Sequence, residues 1–448
     1  KAVDSILNIC GFVIIFNVIC EVVSLYAYDN DLLSVFIAVI ALLLIQTCLP
    51  LFFFILRIPT ELSLTAEIYT RVFMLGLPAV VLYNFTSAVL RAVGNSKTPL
   101  IALTGIKFTL TEQHLELIGS DSDLSIRCII EKEKNNKQII EIEEIGSIVI
   151  NEKIICEIIR KVDSEMVEIS VVDDLAKIRS DKSIFSVNCI PAIDYPSILF
   201  DDHANGQMFS IDALELKNLL DQTLFATSDK ESRPILTGLN FKCEGNSLEV
   251  VATDTYRLTK KVVSINEQLH FNVTVPKTAL DDVNKIVELG QNVIVTVTDK
   301  KVLFNLGDCM INTRIISGTY PDTSRLIPNE FTQTLNISTK ELVGALDRAC
   351  ILLTEKNNVV KLNMDVEEVF VSSKSSEIGY VVEKLNEYSY EGEKLIISFS
   401  AKYLLDAIRA LSSEEISLHF TGDMKPIIIK SKTNPQLTEL ILPVRTYN

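Results

Sequence analysis

The chain has 448 residues, 48% hydrophobic and 22% charged, with 42 Lys+Arg against 58 Asp+Glu and a formal net charge of −16. At about 100–200 residues per domain this is three or four domains, and the composition excludes a disordered, collagenous or mucin-like chain. The negative balance excludes a broadly basic nucleic-acid binder, so any nucleic-acid contact must rest on local charge placement.

The charge is unevenly spread. Residues 1–100 hold 5 Lys+Arg and 6 Asp+Glu, leaving a net −15 for the remainder. Within this first piece Leu32–Leu56 is 25 residues without a charge and Val72–Leu90 is 19. Ser5–Cys20 gives 16 more, and the apolar pattern resumes after Glu21 as far as Tyr28. A bilayer core is spanned by about 20 apolar helical residues, so these are three expected membrane-spanning helices. No basic start or small-residue cleavage site marks a signal peptide, and the opening Lys1 agrees with a fragment. Residues 67–103 carry Tyr69-x-Arg71, Gly76-Leu-Pro78, Leu82-Tyr-Asn84 and Arg91-Ala-x-Gly-Asn-x-Lys-x-Pro99. In these features the stretch resembles the multidrug and toxic-compound extrusion transporters. The resemblance implies a transporter-like fragment over 1–95, although three helices cannot enclose that family's central path.

After residue 100 the pattern changes to short alternating strands and amphipathic helices. Leu103-Thr-Gly-Ile-Lys-Phe108 recurs as Leu236-Thr-Gly-Leu-Asn-Phe241, and Leu115–Asp121 recurs as Leu248–Asp254 with the same spacing. Tyr195-Pro196 recurs as Tyr320-Pro321. A third, weaker copy begins near Ser338, where Ser338-x-x-Glu341 reads as a capping box. A repeat longer than 100 residues means duplicated domains rather than a solenoid. The expected fold class is α+β: antiparallel sheets with two helices per domain on one face, and helices near 151–162, 210–222, 276–289, 338–350 and 400–411.

The nine cysteines show no CxxC, and their apolar surroundings read as reduced, buried thiols. The four histidines stand far apart without metal-ligand spacing, so no metal and no cofactor are expected. No Gly-rich phosphate loop, nucleophile elbow or HExxH is present. A carboxylate hydrolase would use Asp121 with Asp254, but their equivalent repeat positions favour a structural role at strand ends.

Residues 103–448 closely resemble the bacterial DNA polymerase III beta subunit, the sliding clamp. The matching stretches include LTGIKFTL (103–110), LIGSDSDLSI (117–126), IFSVNCIPAIDYP (184–196), VATDTYRL (251–258), SGTYPDTSRLIP (317–328), SAKYLLDAIRAL (400–411) and LILPVR (440–445). The resemblance implies three clamp domains at 96–203, 204–329 and 330–448. It implies a non-catalytic, cytoplasmic processivity factor: a homodimeric ring around duplex DNA that holds the polymerase III alpha subunit, the clamp loader and other replication proteins. An alternative is a transporter fragment fused to an inactive clamp, with membrane association through the first segment only.

The resemblance also implies residues. A partner-peptide groove would use Leu236, Thr253, Thr255, Tyr256, Arg257, Leu258, Pro321, Arg325, Leu326, Ser400, Tyr403, Met424, Leu440, Leu442, Pro443, Val444 and Arg445. Two departures bear on it: Asn357 stands where some members carry an aromatic ring, and Thr446–Asn448 extend past Arg445. The dimer interface would use Phe185 and Val187 on one edge and Ile351 and Leu352 on the other. For DNA, the five helices hold 10 basic and 11 acidic residues, against a net −14 for the rest of 101–448. The cations expected to face DNA are Lys97, Arg160, Lys161, Lys217, Lys277, Lys285, Lys402 and Arg409, giving sequence-independent phosphate contacts.

Overall fold

The computed structural model describes residues 104–121, 123–200, 206–328, 330–353 and 358–445. The three expected membrane spans, the transporter-like piece and Lys97 lie outside these residues, as do Asn357 and Thr446–Asn448. No helix among the described residues is long and apolar enough to cross a membrane. The described residues within 103–192 and 197–448 form one compact unit.

Five α-helices stand where the periodicity predicts them: α1 (Glu152–Lys161), α2 (Ala213–Asp221), α3 (Lys277–Ile286), α4 (Thr339–Cys350) and α5 (Ala401–Leu411). Each follows directly on a strand. Side-chain oxygens of Asn151, Asp212 and Ser400 accept first-turn N–H groups of α1, α2 and α5, satisfying donors the helix itself cannot. Ser338 departs from the expected capping box. Its side chain makes no cap bond, and Glu341 instead accepts the backbone N–H of Asn386 at 3.2 Å.

Among the described residues the strands, all paired antiparallel, form three large sheets. One has eleven strands, in the order 207–212, 292–297, 301–305, 309–314, 124–131, 114–120, 105–110, 146–151, 184–191, 175–179 and 168–172. A seven-stranded sheet runs 238–253, 257–276, 437–441, 427–430, 415–420, 333–338 and 388–391. A four-stranded sheet runs 379–384, 369–375, 359–364 and 395–400. The sheets therefore cross the repeat boundaries. Helix pairs α2/α3 and α4/α5 pack on them over separate cores, one around Leu216, Leu219, Leu280 and Phe304, the other around Leu346, Phe399, Leu404 and Phe420.

The two boundary crossings repeat each other. Leu124–Cys128 pairs with Cys309–Thr313, and Arg257–Lys261 pairs with Leu437–Ile441. Leu124 stands opposite Thr313 just as Arg257 stands opposite Ile441.

The cysteine expectation is corrected at the first crossing. Cys128 and Cys309 form a disulfide, while Cys156, Cys189, Cys243 and Cys350 are free. The two partners are 181 residues apart in sequence, so spacing could not reveal the pair. The sheet register places them directly opposite each other, with the flanking bond running from the Ile129 N–H to the Asp308 carbonyl at 2.8 Å. This is a non-hydrogen-bonded position, where side chains come closest. Cys128→Ser should lower the unfolding free energy by about 3 kcal/mol. Urea unfolding of the parent in excess dithiothreitol should reproduce that loss; a parent insensitive to reductant would contradict the link.

Candidate partner groove and nucleic-acid interface

Part of the expected groove set collects around the second crossing. Leu236, Leu258 and Leu440 pack with Val251, Tyr320 and Ile428 in one apolar cluster, against which Ile235, Ile327, Phe331 and Leu442 also lie. Leu236, Leu258 and Leu440 are 2%, 1% and 3% exposed, so they form the floor beneath the surface rather than its accessible wall. Among the expected groove residues Tyr256, Leu326 and Met424 are the exposed large apolar ones, each roughly half exposed. Pro321, Arg325 and Arg445 are exposed, and Leu442, Pro443 and Val444 are half-buried. Val251, Tyr320, Ile428 and Phe331 are cluster members that sequence reasoning missed. Val251 and Ile428 lie in continuously buried strand segments and Tyr320 and Phe331 in loops, so no pattern in the sequence marks them as groove residues.

Backbone bonds fix how the three segments meet. Leu442 N–H donates to the Tyr256 carbonyl at 2.9 Å, and Val444 N–H donates to the Ser398 carbonyl at 2.7 Å. The 253–257 turn is held by Thr253, whose hydroxyl donates to the Arg257 carbonyl at 2.6 Å, and by Asp254, which accepts the N–H groups of Tyr256 and Arg257 at 2.9 and 3.0 Å. Thr255 carries the positive φ of 80° that the tight turn requires. Asp121 accepts the N–H groups of Asp123 and Leu124 at 3.0 and 2.7 Å in the equivalent turn. Both aspartates thus act as turn caps, and Asp254 is further occupied by Arg257.

Arg257 is the charged centre of the site. Its Nε donates to Asp254 at 3.0 Å and its Nη1 to Asp406 of α5 at 2.7 Å. The guanidinium also lies 5.2 Å from the Phe225 ring centroid and 4.6 Å from that of Tyr403. A planar, always-charged fork suits two carboxylates and two ring faces at once. Ser400 caps α5 and is buried, and Tyr403 contributes its ring.

Beneath the crossing, Glu439 is 1% exposed and accepts the Thr259 hydroxyl at 2.7 Å. Burial pushes its carboxyl well above the usual carboxylate range, against the smaller opposing effects of Thr259 and Arg257. The folded chain therefore keeps this proton to higher pH than the unfolded chain. The stabilisation is complete below about pH 4.5 and declines as pH rises toward the folded value. Glu439→Gln should remove that decline. Its melting-temperature advantage over the parent should grow between about pH 5 and about pH 8, and a constant difference would refute this assignment.

The expected DNA-facing cations that are described lie on four of the five helices, α1, α2, α3 and α5. Arg160, Lys161, Lys285, Lys402 and Arg409 are exposed. Lys161 pairs with Glu157 at 3.7 Å, Lys285 with Asp282 at 3.0 Å and Arg409 with Asp347 at 3.8 Å. Such exposed pairs are weak and exchangeable. Lys277 is half-buried and pairs with Asp229 at 3.2 Å. Lys217 differs from the expectation: its ammonium donates to the carbonyl and side-chain oxygens of Asn284, both at 3.2 Å, tying α2 to α3. Among the described residues, Arg160 and Lys402 are in no ion pair.

Of the expected interface residues, Phe185 and Val187 are half-buried against the first-repeat core. Their strand pairs with 175–179 along one side, whereas on its other side only Cys189–Pro191 meet a neighbour, the 146–151 strand. Ile351 and Leu352 lie in the turn after α4 rather than on a strand, with Ile351 75% exposed. The open strand edge beside them, which sequence reasoning missed, is Gly379–Lys384. Among the described residues it pairs with 369–375 on one side only, and α4 holds it through Arg348 Nε to Glu383 at 2.8 Å.

Comparison with known proteins accounts for this arrangement. Models of the DNA polymerase III beta subunit match over the N-terminal domain (residues 80–199), the central domain (210–322) and the C-terminal domain (324–445). The beta sliding clamp of Bacillus subtilis is 41% identical over 365 residues, covering 80% of this chain and 96% of the relative. That of Staphylococcus epidermidis is 37% identical over 368 residues, covering 81% and 97%. The crystal structure of the DNA polymerase sliding clamp from Bacillus subtilis superposes with a TM-score of 0.73 at 40% identity, over 79% of this chain and 94% of that one. The DNA polymerase III beta chain from Streptococcus pneumoniae superposes with a TM-score of 0.71 at 27% identity, over 80% and 98%. The transporter-like reading of residues 1–95 has no support in these matches. The chain belongs to the DNA polymerase III beta subunit family, the bacterial sliding clamps.

Proposed function

We propose that this chain is a DNA sliding clamp, a non-catalytic processivity factor whose two copies close into a ring around duplex DNA and tether a polymerase. The observation that carries this is the identical register of the two boundary crossings. Repeat equivalence supplies the third crossing. The 124–131 strand corresponds to Gly379–Lys384, since each is the outer partner of its hairpin. The 309–313 strand corresponds to 184–188. Among the described residues the Gly379–Lys384 and 184–188 edges are open, and they bring exposed Ile184, Tyr380 and Val382. Joined between two copies in the same register, Tyr380 faces Val187, Val382 faces Phe185 and Glu383 faces Ile184. Unpaired strand edges with apolar side chains are otherwise an aggregation hazard.

In such a ring Arg160, Lys161, Lys277, Lys285, Lys402 and Arg409 meet phosphates without reading sequence, so the contact slides and weakens with salt. The surface around Tyr256, Leu326 and Met424 takes a short apolar peptide from the polymerase III alpha subunit, the clamp loader or other clamp-binding proteins. Arg257, Arg325 and Arg445 supply directional hydrogen bonds at its rim. The test is DNA synthesis by a bacterial polymerase III on primed circular single-stranded DNA. With this protein and a loader, product length should extend around the circle; unchanged short products would oppose the reading.

A further inference from the structure

Arg257 belongs to the groove, yet its second carboxylate partner belongs to α5, the helix carrying two of the cations assigned to the duplex. Asp406 stands four residues after Lys402 and three before Arg409, and all three line one open cavity of about 290 Å³. Those spacings put the three side chains on one helical face, where opposite charges pair. Asp406 is instead taken by Arg257 at 2.7 Å, a bond only 12% exposed on the arginine side and backed by Phe225 and Tyr403. The result is visible on α5: among the described residues Lys402 is in no ion pair, and Arg409 reaches only the exposed Asp347, at 3.8 Å.

We propose that Arg257 is a positioning residue for the DNA-lining face. By holding Asp406 it keeps Lys402 and Arg409 available for phosphate, and a groove occupant that draws Arg257 away weakens the duplex contact. This rests on the clamp reading above and adds a link between its two sites. Linkage makes the effect reciprocal, so bound duplex disfavours any groove occupant that competes for Arg257.

The test uses the full chain, a fluorescent duplex of mixed sequence and a salt titration. Arg257→Gln keeps a polar side chain of intermediate length and removes the charge that holds Asp406. It should weaken duplex binding several-fold and make the slope of log affinity against log salt shallower by about 0.9 for each phosphate no longer neutralised. Adding Asp406→Asn should restore both quantities, although Arg257 is still missing. Asp406→Asn alone should leave duplex affinity at or above that of the parent. An Arg257→Gln chain that matches the parent, or a double variant as weak as Arg257→Gln, would overturn the proposal, the latter by leaving Arg257 a purely structural role. A loss of duplex binding in Asp406→Asn alone would contradict it as well. A parent with no salt-dependent duplex binding would overturn the clamp reading itself, and this inference with it.

Discussion

A chain carrying Ile184→Cys and Glu383→Cys should form a covalent dimer under mild oxidation. The reason is the register observed at two crossings and proposed for a third between two copies. The first crossing carries a disulfide between Cys128 and Cys309, and in the equivalent crossing between two copies those positions are Glu383 and Ile184. Ile184 is 63% exposed, so its replacement leaves the first-repeat core filled. Glu383 is released only from the arginine of α4. Opposed cysteines at a non-hydrogen-bonded position have the spacing a disulfide requires. On a non-reducing gel most of the protein should run as a cross-linked dimer. The control pair Ser186→Cys with Glu383→Cys, out of register by two residues, should stay largely monomeric. Equal cross-linking of both pairs, or of neither, would contradict the proposed register.

The second large effect falls on the groove. Tyr256 and Met424 are 54% and 45% exposed, so truncating them removes binding surface without emptying the core. Together Tyr256→Ala and Met424→Ala should weaken binding of a clamp-binding peptide from a polymerase III alpha subunit by about 100-fold, or roughly 2.7 kcal/mol. Fluorescence polarisation reads the affinity, and the melting temperature should stay close to the parent's. Leu440→Ala, by contrast, empties a site only 3% exposed and should cost about 2–5 kcal/mol of stability. Peptide affinity unchanged in the double variant would place the partner surface elsewhere.

The helices were legible in the sequence because apolar spacing acts locally: α1 to α5 stand within a few residues of their expected bounds. The repeat was legible because Leu-Thr-Gly and the turn aspartates recur at fixed distance, and Asp121 and Asp254 do the same work in both copies. What stayed hidden depends on strands meeting across more than a hundred residues. The Cys128–Cys309 bond, the Arg257–Asp406 bond and the open edge at 379–384 are set by sheet register, which no local pattern encodes. The same limit explains Leu236, Leu258 and Leu440, whose types fit a groove wall or a core equally well until neighbours are known. Lys217 reads as a solvent-facing cation from its helix alone, and only the position of Asn284 on α3 turns it into a tie between helices.

Topology should separate a closed ring from any protein that merely sticks to DNA. The protein is loaded onto a singly nicked circular plasmid with a bacterial clamp loader and ATP, then filtered in high salt. If two copies encircle the duplex, the protein elutes with the circle and is released when a restriction enzyme linearises it. Equal retention on circular and linear plasmid, or salt-sensitive loss from both, would contradict the account.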